Sequence, residues 1–310
     1  MNILVTGGAG YIGSQLIRDI AQCDIDKVTI LDNMSRECYY SLMNLPSRIE
    51  YEFIEGDIRD LQIVEKAVQG INTVIHLAAL TNAPESFERR EETKEINYEA
   101  SMNLLKSSLS DGVEKFVFAS TTSVYGQTNG IVDETYQCKP VSPYALYKLK
   151  AEQEILQKAK NREINAVALR LATVFGYSPG IRFHTVLNKF VYMACAGIPL
   201  TIYGTGEQKR PFLHVKDASR ALLFCMENNN MKDDVFNVVS RNASVNEIVQ
   251  CIKKKHPEVK TASVDREILN QISYVVDSSK IRKKGFVVKN TIDEEIEDLM
   301  KRFETLFTGG

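Results

Sequence analysis

Neither cysteine nor histidine is arranged as a metal site in this sequence of 310 residues. The six cysteines are scattered and include no C-x-x-C pair, and the four histidines are equally dispersed. Because zinc sites need closely spaced ligands, we expect no metal. Scattered cysteines are typical of reduced thiols, so we expect a cytoplasmic protein.

The chain also lacks an excess of charge of either sign, since its formal net charge is −2. This balance gives no electrostatic reason to expect nucleic acid or a membrane surface as a partner. No apolar run approaches the roughly 20 residues that cross a bilayer, and we expect no signal peptide because the basic and apolar segments of one are missing. A content of 44% hydrophobic and 25% charged residues is ordinary for a globular protein.

Short apolar runs alternate with helical patterns throughout the first half of the chain. The runs are largely apolar rather than alternating, as expected of strands that are covered on both faces. This alternation predicts an α/β fold, a Rossmann-type doubly wound parallel sheet. The predicted strands are Ile3–Thr6, Val28–Asp32, Tyr51–Glu55, Thr73–Leu77, Phe116–Ser120 and Ala166–Leu171.

The pattern changes after residue 172, where a turn-rich loop at 176–180 is followed by further helices. We therefore predict a Rossmann domain at 1–172 and a smaller, mostly helical lobe at 173–310, with some segments returning to the sheet. Four helices are predicted in the lobe, at 183–196, 217–227, 245–255 and 292–307, together with a strand at 236–239. Asp217 is a candidate cap of the second helix, and the sequence Ser-Val-Asn-Glu from Ser244 is a capping box for the third.

A glycine-rich turn joins the first predicted strand to the first predicted helix. The sequence Gly-Gly-Ala-Gly-Tyr-Ile-Gly at 7–13 satisfies G-x-x-G-x-x-G and also contains G-x-G-x-x-G. Glycines there let a pyrophosphate approach the backbone, and the helix N-terminus supplies free N–H groups. Asp32 ends the second predicted strand, where a carboxylate binds ribose hydroxyls and repels a 2′-phosphate. The pattern predicts NAD rather than NADP, although the nearby Arg36 could meet a 2′-phosphate.

Tyr144 and Lys148 form the candidate catalytic pair. Ser142 and Pro143 start a helix just before them. Because Tyr144 and Lys148 are four residues apart, their side chains lie on one face of that helix. A free tyrosine has a pKa near ~10 and is a poor base. We expect the positive charges of Lys148 and of an oxidised nicotinamide to favour the phenolate, which makes Tyr144 a general acid or base in hydride chemistry at an alcohol carbon.

Together these motifs resemble the extended short-chain dehydrogenase/reductases, in particular the NAD-dependent nucleotide-sugar epimerase/dehydratase family and its UDP-glucose 4-epimerase-like members. The resemblance covers essentially the whole chain. It implies a nucleotide-diphosphate sugar as substrate and a homodimer as the assembly. The segments that carry it are 7–13, 31–33, 56–59, 76–79, 96–97, 120–126, 144–148 and 210–217.

The resemblance also implies individual roles. Thr121 would hydrogen-bond the reacting oxygen of the sugar, and Arg210 would bind the substrate diphosphate through its planar guanidinium. The implied cofactor contacts are Gly7, Gly10, Tyr11, Ile12, Asp32, Asn33, Asp57, Ile58, Leu77, Ala78, Ala79, Tyr144 and Lys148. The implied substrate contacts are Ser86, Thr121, Tyr144, Asn188, Arg210 and Arg266.

The residues after Thr121 distinguish between reactions within that family. Dehydratases of the family carry Asp-Glu there, and decarboxylating relatives carry a Glu directly before Val-Tyr-Gly, whereas this chain has Thr122 and Ser123. Elimination needs an additional positioned acid and base. We therefore expect a nucleotide-sugar 4-epimerase of the UDP-glucose/UDP-galactose type. The alternatives are a nucleotide-sugar dehydrogenase or 4-keto reductase with net NAD(P)(H) turnover, and a non-catalytic dinucleotide-sensing protein.

Overall fold

The computed structural model describes residues 1–128, 130–264 and 273–307. The strands are β1 (Asn2–Thr6), β2 (Lys27–Asp32), β3 (Glu50–Glu55), β4 (Thr73–His76), β5 (Lys115–Thr121), β6 (Ile131–Val132), β7 (Asn165–Leu171), β8 (Thr173–Phe175), β9 (Leu200–Tyr203), β10 (Lys209–His214), β11 (Asp234–Val238), β12 (Arg241–Ser244), β13 (Thr261–Val264) and β14 (Val275–Val276). The α-helices are α1 (Tyr11–Asp19), α2 (Leu61–Val68), α3 (Arg90–Lys94), α4 (Ser101–Ser110), α5 (Pro143–Lys160), α6 (Val186–Cys195), α7 (Val215–Glu227), α8 (Val245–Lys255), α9 (Ser279–Lys283) and α10 (Ile292–Phe307), and a π-helical turn at Glu95–Ala100 joins α3 to α4.

A seven-stranded parallel sheet of order β11-β7-β5-β4-β1-β2-β3 forms the centre of the described chain. The predicted doubly wound α/β fold is confirmed, and each strand predicted for the first half is present. The strand order reverses at β1, which lies between β2 and β4. A reversal of this kind opens a crevice at the carboxyl ends of the strands, where ligands bind in such folds.

Both faces of the sheet are covered at its central strands, which explains why those strands are largely apolar, whereas the edge strand β3 carries Glu50, Glu52 and Glu55 and is not buried. Ile3 and Val5 of β1 belong to the cluster that includes residues of α1 and α7. Leu4, between them, belongs to the cluster that includes residues of α2, α4 and α5. Successive side chains of a strand point to opposite faces, so a strand between two helix layers must be apolar at each position.

The rest of the chain forms smaller sheets, with orders β12-β10-β8, β13-β9 and β14-β6. A separate apolar cluster lies between these strands and helices α6, α8 and α10. The chain also returns to the large sheet, because β11 pairs with β7. The boundary between 172 and 173 stays a prediction. Within the described ranges, no helix has the length and apolar content of a membrane span.

The two helix caps predicted in this part have different outcomes. The predicted capping box is confirmed, since Ser244 Oγ accepts the backbone N–H of Glu247 at 3.1 Å and Glu247 accepts that of Ser244 at 2.6 Å. The cap predicted at Asp217 is wrong. His214 Nδ1 caps α7, while Asp217 lies buried in the first turn and accepts the backbone N–H groups of 289–290. Because the Asp217 carboxylate already accepts two N–H groups from another part of the chain, it does not cap the first turn of α7.

A buried ion pair joins α5 to β7. Arg170 Nη2 donates to Glu152 Oε1 at 2.6 Å, and both residues are about 5% exposed or less. Ser120 Oγ donates to the same carboxylate at 2.5 Å. Arg170 Nη1 donates to the Tyr125 hydroxyl at 2.9 Å, which in turn donates to Asn237 at 2.7 Å. Since every charged group has partners, the pair fixes the position of α5 against the sheet.

Removing one partner of this ion pair tests how much the pair contributes to the free energy of unfolding. Arg170→Met is expected to lower the free energy of unfolding by about 3–5 kcal/mol, because it leaves the Glu152 charge buried and unpaired. The double variant Glu152→Leu/Arg170→Met is expected to recover part of that loss. Urea unfolding of the three proteins measures both values.

The exposed pair between Lys158 and Glu163, at the end of the same helix, provides the matched control. Lys158→Met is expected to change the free energy of unfolding by less than about 1 kcal/mol. Equal losses for Lys158→Met and Arg170→Met would contradict the role given to the buried pair.

Candidate active site

A cavity of about 770 Å³ opens at the carboxyl ends of the central strands. Its wall is formed by the loops after β1 to β5, by the start of α5 and by residues of the smaller lobe. Of the residues predicted from the sequence, those at this wall are Gly7, Gly10, Tyr11, Ile12, Asp32, Asn33, Asp57, Ile58, Leu77, Ala78, Ala79, Thr121, Tyr144, Lys148 and Arg210. The fold therefore brings into one cavity residues from distant parts of the sequence, and the roles given to them stay predictions.

The turn between β1 and α1 has no room for side chains at two positions. Gly7 has a φ of +71°, and a Cβ there would lie 2.7 Å from the backbone N of Ala78. A Cβ on Gly13 would lie 2.3 Å from the carbonyl oxygen of Gly7. Helix α1 begins directly after this turn, so its free N–H groups face the cavity. The turn fits the pyrophosphate of a dinucleotide.

Asp32 lies beside the same turn at the end of β2. Its Oδ2 accepts the backbone N–H of Ala9 and its Oδ1 that of Met34, each at 3.0 Å. Burial raises the pKa of Asp32, while the two hydrogen bonds and the nearby Arg36 lower it. These bonds hold the carboxylate at the cavity wall, where it was predicted to meet the ribose.

Asp57 is held by two other side chains. Its carboxylate accepts Nε and Nη2 of Arg59 at 3.0 and 2.8 Å and the amide of Asn33 at 3.2 Å. The Arg59 hydrogen bonds are the main reason that the pKa of Asp57 falls to about 2. The carboxylate is therefore ionised, and an adenine contact through it would compete with Arg59 and Asn33.

The first turn of α5 positions the candidate catalytic pair. Ser142 caps the helix, and the backbone N–H of Tyr144 donates to Ser86 Oγ at 3.1 Å. The phenol of Tyr144 shares the cavity wall with Thr121 at the end of β5, which lowers the pKa of the phenol. Lys148 follows one turn later, with its Nζ 4.0 Å from the centroid of the Phe118 ring.

Burial dominates the electrostatics of this pair. It raises the pKa of Tyr144 to about 12, against a lowering by Thr121. It lowers the pKa of Lys148 to about 7, against a raising by the charge of Glu152. The expectation that positive charge favours the phenolate concerns Lys148 together with an oxidised nicotinamide, and it stays a prediction for the NAD-bound protein.

A buried polar chain holds the loop after β4. His76 hydrogen-bonds Thr6 Oγ1 through Nδ1 at 2.6 Å and Ser101 Oγ through Nε2 at 2.9 Å. The Asn97 amide, in the π-helical turn, bonds both backbone groups of Leu80 at 2.8 Å. Burial, with a smaller contribution from Lys148, lowers the pKa of His76 well below its ordinary value. His76 is thus a neutral structural residue.

Two predicted substrate contacts, Ser86 and Asn188, are not at the cavity wall. Ser86 is buried and its hydroxyl accepts the N–H of Tyr144, so it positions the start of α5. Asn188 is also buried, and its amide donates to the hydroxyl of Tyr11 at 2.8 Å. Arg266 lies outside the described residues. The side chains of Ser86 and Asn188 already use their hydrogen-bonding atoms within the protein, which does not support substrate contact.

Several wall residues were missed by the sequence reasoning, and the smaller lobe contributes a group of them, including Arg182, Lys189 and Phe190. Among the described residues at the wall, five are basic (Arg36, Lys148, Arg182, Lys189 and Arg210) and two are acidic (Asp32 and Asp57). An excess of positive charge suits ligands with diphosphate groups. The only local signal for Arg182 is a basic residue directly after the turn-rich loop. No three His, Cys, Asp or Glu side chains in the described ranges come close enough to hold a metal ion.

Comparison with known proteins gives one family and two reaction types. The family model described as "NAD dependent epimerase/dehydratase family" matches residues 3–238. A putative UDP-glucose 4-epimerase of Methanocaldococcus jannaschii is 33% identical over 256 residues, which are 81% of this chain and 81% of that protein. A trifunctional UDP-glucose 4,6-dehydratase/UDP-4-keto-6-deoxy-D-glucose 3,5-epimerase/UDP-4-keto-L-rhamnose-reductase of Arabidopsis thaliana is 28% identical over 314 residues, 96% of this chain. The chain spans about half, 46%, of that longer protein.

A solved structure extends the similarity to the whole fold. MoeE5, in complex with UDP-glucuronic acid and NAD, matches with a TM-score of 0.86 at 30% identity, over 97% of this chain and 99% of that one. The predicted resemblance and the predicted cofactor, NAD, are confirmed. The reaction type is left open between epimerisation and dehydration.

Replacing Lys148 by Met is expected to stabilise the NAD-free protein. The pKa of Lys148 is about 7 in the fold and 10.5 in an unfolded chain, so between these values the unfolded state binds a proton that the folded state has lost. Stability therefore rises with pH across this window, and below pH 7 the fold carries a buried charge. The variant should gain on the order of a few kcal/mol below pH 7, and the gain should vanish towards pH 10.5. Urea unfolding across this range measures it.

Lys150→Met is the matched control, because Lys150 is an exposed residue of the same helix. Its effect should be small and should not depend on pH. A gain from Lys148→Met that stays constant between neutral and alkaline pH would refute the buried-charge account.

Proposed function

The chain belongs to the NAD-dependent epimerase/dehydratase family, and from that membership and the geometry of the cavity we propose that it is a nucleotide-sugar 4-epimerase of the UDP-glucose/UDP-galactose type. The observation that carries the proposal is that Thr121, Tyr144 and Lys148 meet at one part of the cavity wall, where the described residues place no carboxylate beside Thr121 and Tyr144. A homodimer and a cytoplasmic location are part of the same proposal.

Tyr144 and Thr121 have different roles at the C4 hydroxyl of the sugar. Tyr144 takes the proton of the 4-hydroxyl, and Thr121 holds the same oxygen in line through a hydrogen bond. NAD supplies the reversible hydride acceptor. Lys148 would hold hydroxyls of the nicotinamide ribose, and its charged form would favour loss of the Tyr144 proton. Tyr144 would return the proton to the same sugar oxygen at the end of the cycle, and the reaction would end without net oxidation because bound NAD would give back the hydride that it accepted.

Arg210 is the proposed anchor of the substrate. It lies on β10 at the cavity wall, with its guanidinium 5.4 Å from the centroid of the Tyr274 ring. A planar guanidinium binds a diphosphate through two parallel hydrogen bonds. An anchor on the nucleotide leaves the sugar free to turn, which epimerisation requires because both faces of C4 must meet the same cofactor.

The distribution of carboxylates argues against dehydration. The acidic side chains at the described wall, Asp32 and Asp57, follow β2 and β3, whereas Thr121 ends β5. Strands β1 and β4 lie between β2 and β5. Neighbouring strands are about 4.8 Å apart, so Asp32 lies roughly 14 Å from the β5 end along the sheet. Neither acid can reach the C5 and C6 atoms of a sugar at Tyr144, where elimination needs them.

A single incubation distinguishes the possible reactions. The purified protein is given UDP-glucose or UDP-galactose without added cofactor, and products and absorbance at the NADH band are followed. Interconversion with constant absorbance supports the epimerase. A stoichiometric change in NADH indicates the alternative, a dehydrogenase or 4-keto reductase. A 4-keto-6-deoxy sugar would indicate a dehydratase, and bound NAD without turnover on a broad panel would indicate a non-catalytic protein.

Tyr144→Phe is expected to lower kcat by at least ~10², because it removes the proton-transfer group. Bound NAD should be retained, since the ring still fills the same space. Initial rates of sugar interconversion and the NAD content of the purified protein measure the two effects.

Tyr147→Phe is the control, since Tyr147 is buried on the same helix but does not line the cavity. It should keep near wild-type activity. A Tyr144→Phe variant as active as Tyr147→Phe would remove the proposed acid–base group.

A further inference from the structure

A segment of the smaller lobe, residues 176–182, lies across the glycine turn, and we name it the arm. Ser178 Oγ donates to the carbonyl oxygen of Tyr11 at 2.8 Å. A Cβ on Gly180 would lie 2.5 Å from the carbonyl oxygen of Gly10, so the two backbones touch. The arm is thus built directly onto the start of α1, where the pyrophosphate of the cofactor is expected.

Arg182, at the end of the arm, reaches over the cavity to the loop after β4. Its Nη1 donates to Thr81 Oγ1. Its Nε–H is buried and has no hydrogen-bond partner among the described residues. A buried donor without an acceptor costs about 1–3 kcal/mol. An arginine that lines a cavity with such a donor is typical of a site whose anionic ligand supplies the acceptor.

The surroundings of Arg182 indicate which anion it meets. The loop that carries Thr81 continues from Ala78, whose backbone lies against Gly7. Arg182 therefore connects the two structures that enclose the glycine turn, the β4 loop on one side and the arm on the other. The substrate diphosphate has its own proposed anchor in Arg210, on β10.

We propose that Arg182 binds the pyrophosphate of the dinucleotide, with Thr81 orienting its guanidinium. This places one of the cofactor's ligands in the smaller lobe, outside the glycine turn and its helix. The proposal depends on the cofactor of the family and not on the sugar reaction proposed above.

The arm is fixed before the cofactor binds, which keeps the cost of ordering Arg182 low. The backbone N–H of Tyr177 donates to Glu295 Oε1 at 2.6 Å. Glu295 in turn pairs with His214 Nε2 at 2.7 Å, and both residues are buried. Since His214 Nδ1 accepts a backbone N–H, the neutral ring carries its proton on Nε2 and donates it to Glu295. The hydrogen bonds that tie the arm to α10 through Glu295 therefore do not need a protonated, charged His214 ring.

The test uses Arg182→Gln in the protein as purified. The rate at which bound NAD exchanges with isotope-labelled NAD should rise about tenfold or more, since a charge-assisted bidentate contact is lost. The affinity for ADP-ribose, which keeps the pyrophosphate without the nicotinamide, should fall by a similar factor. The affinity for UDP should stay within about twofold. Thr81→Val, which keeps Arg182 but removes its partner, should give a smaller change in the same direction.

Lys189→Gln is the matched control, because it removes one positive charge from the same cavity wall. It should leave NAD exchange within about twofold of wild type. Equal acceleration in both glutamine variants would reduce the effect to net charge and overturn the proposal. Loss of UDP affinity with unchanged NAD exchange would assign Arg182 to the substrate instead, and no change in either would leave it as cavity wall. If Arg182→Gln does not fold, Arg182→Lys and Thr81→Val decide, since unchanged exchange in both contradicts the proposed contact.

Discussion

Contact between backbones at the turn from β1 to α1 is the constraint on which the rest of the site depends. Gly7 lies against the backbone of Ala78, and Gly13 lies against Gly7 itself. Because β1 and β4 are neighbours at the reversal of the strand order, this contact fixes the width of the crevice. Gly180 meets the same turn from the other lobe. Helix α1, the loop after β4 and the arm are therefore all placed relative to one tight turn.

The chemistry of the site follows from burial more than from the charges inside it. Burial raises the pKa of the Tyr144 phenol to about 12 and lowers the pKa of the Lys148 amine to about 7. The buried pair of Glu152 and Arg170 holds the helix that carries both residues. A buried amine is unfavourable for stability wherever it must carry its charge, yet the fold keeps Lys148 buried at the cavity wall. Such a conflict between stability and function is common at active sites.

The sequence predicts those parts of the structure that depend on local rules. Most strands of the large sheet can be predicted because cover on both faces makes them largely apolar. The start of α5 can be predicted because Ser142 is a favourable helix cap. The small sheets pair short strands that are far apart in the chain, such as β6 with β14, and no local pattern marks them. The same limit applies to the site. The burial of Asn188 and the contact of Arg182 with Thr81 depend on where distant loops meet, and His214 caps α7 although an imidazole is an uncommon cap.

The enclosure of the cofactor site bears on which reaction the chain performs. A net dehydrogenase or reductase must release its dinucleotide in every cycle, whereas an epimerase returns the hydride to the carbon that supplied it. Here the arm is tied to α1 through Ser178 and Gly180 and to α10 through Glu295, so the site cannot open without breaking contacts between the lobes. Slow release of the dinucleotide would limit a net redox enzyme, but it costs an epimerase nothing. The contacts of the arm with α1 and α10 are therefore compatible with the proposed epimerase, which would keep one dinucleotide through every cycle.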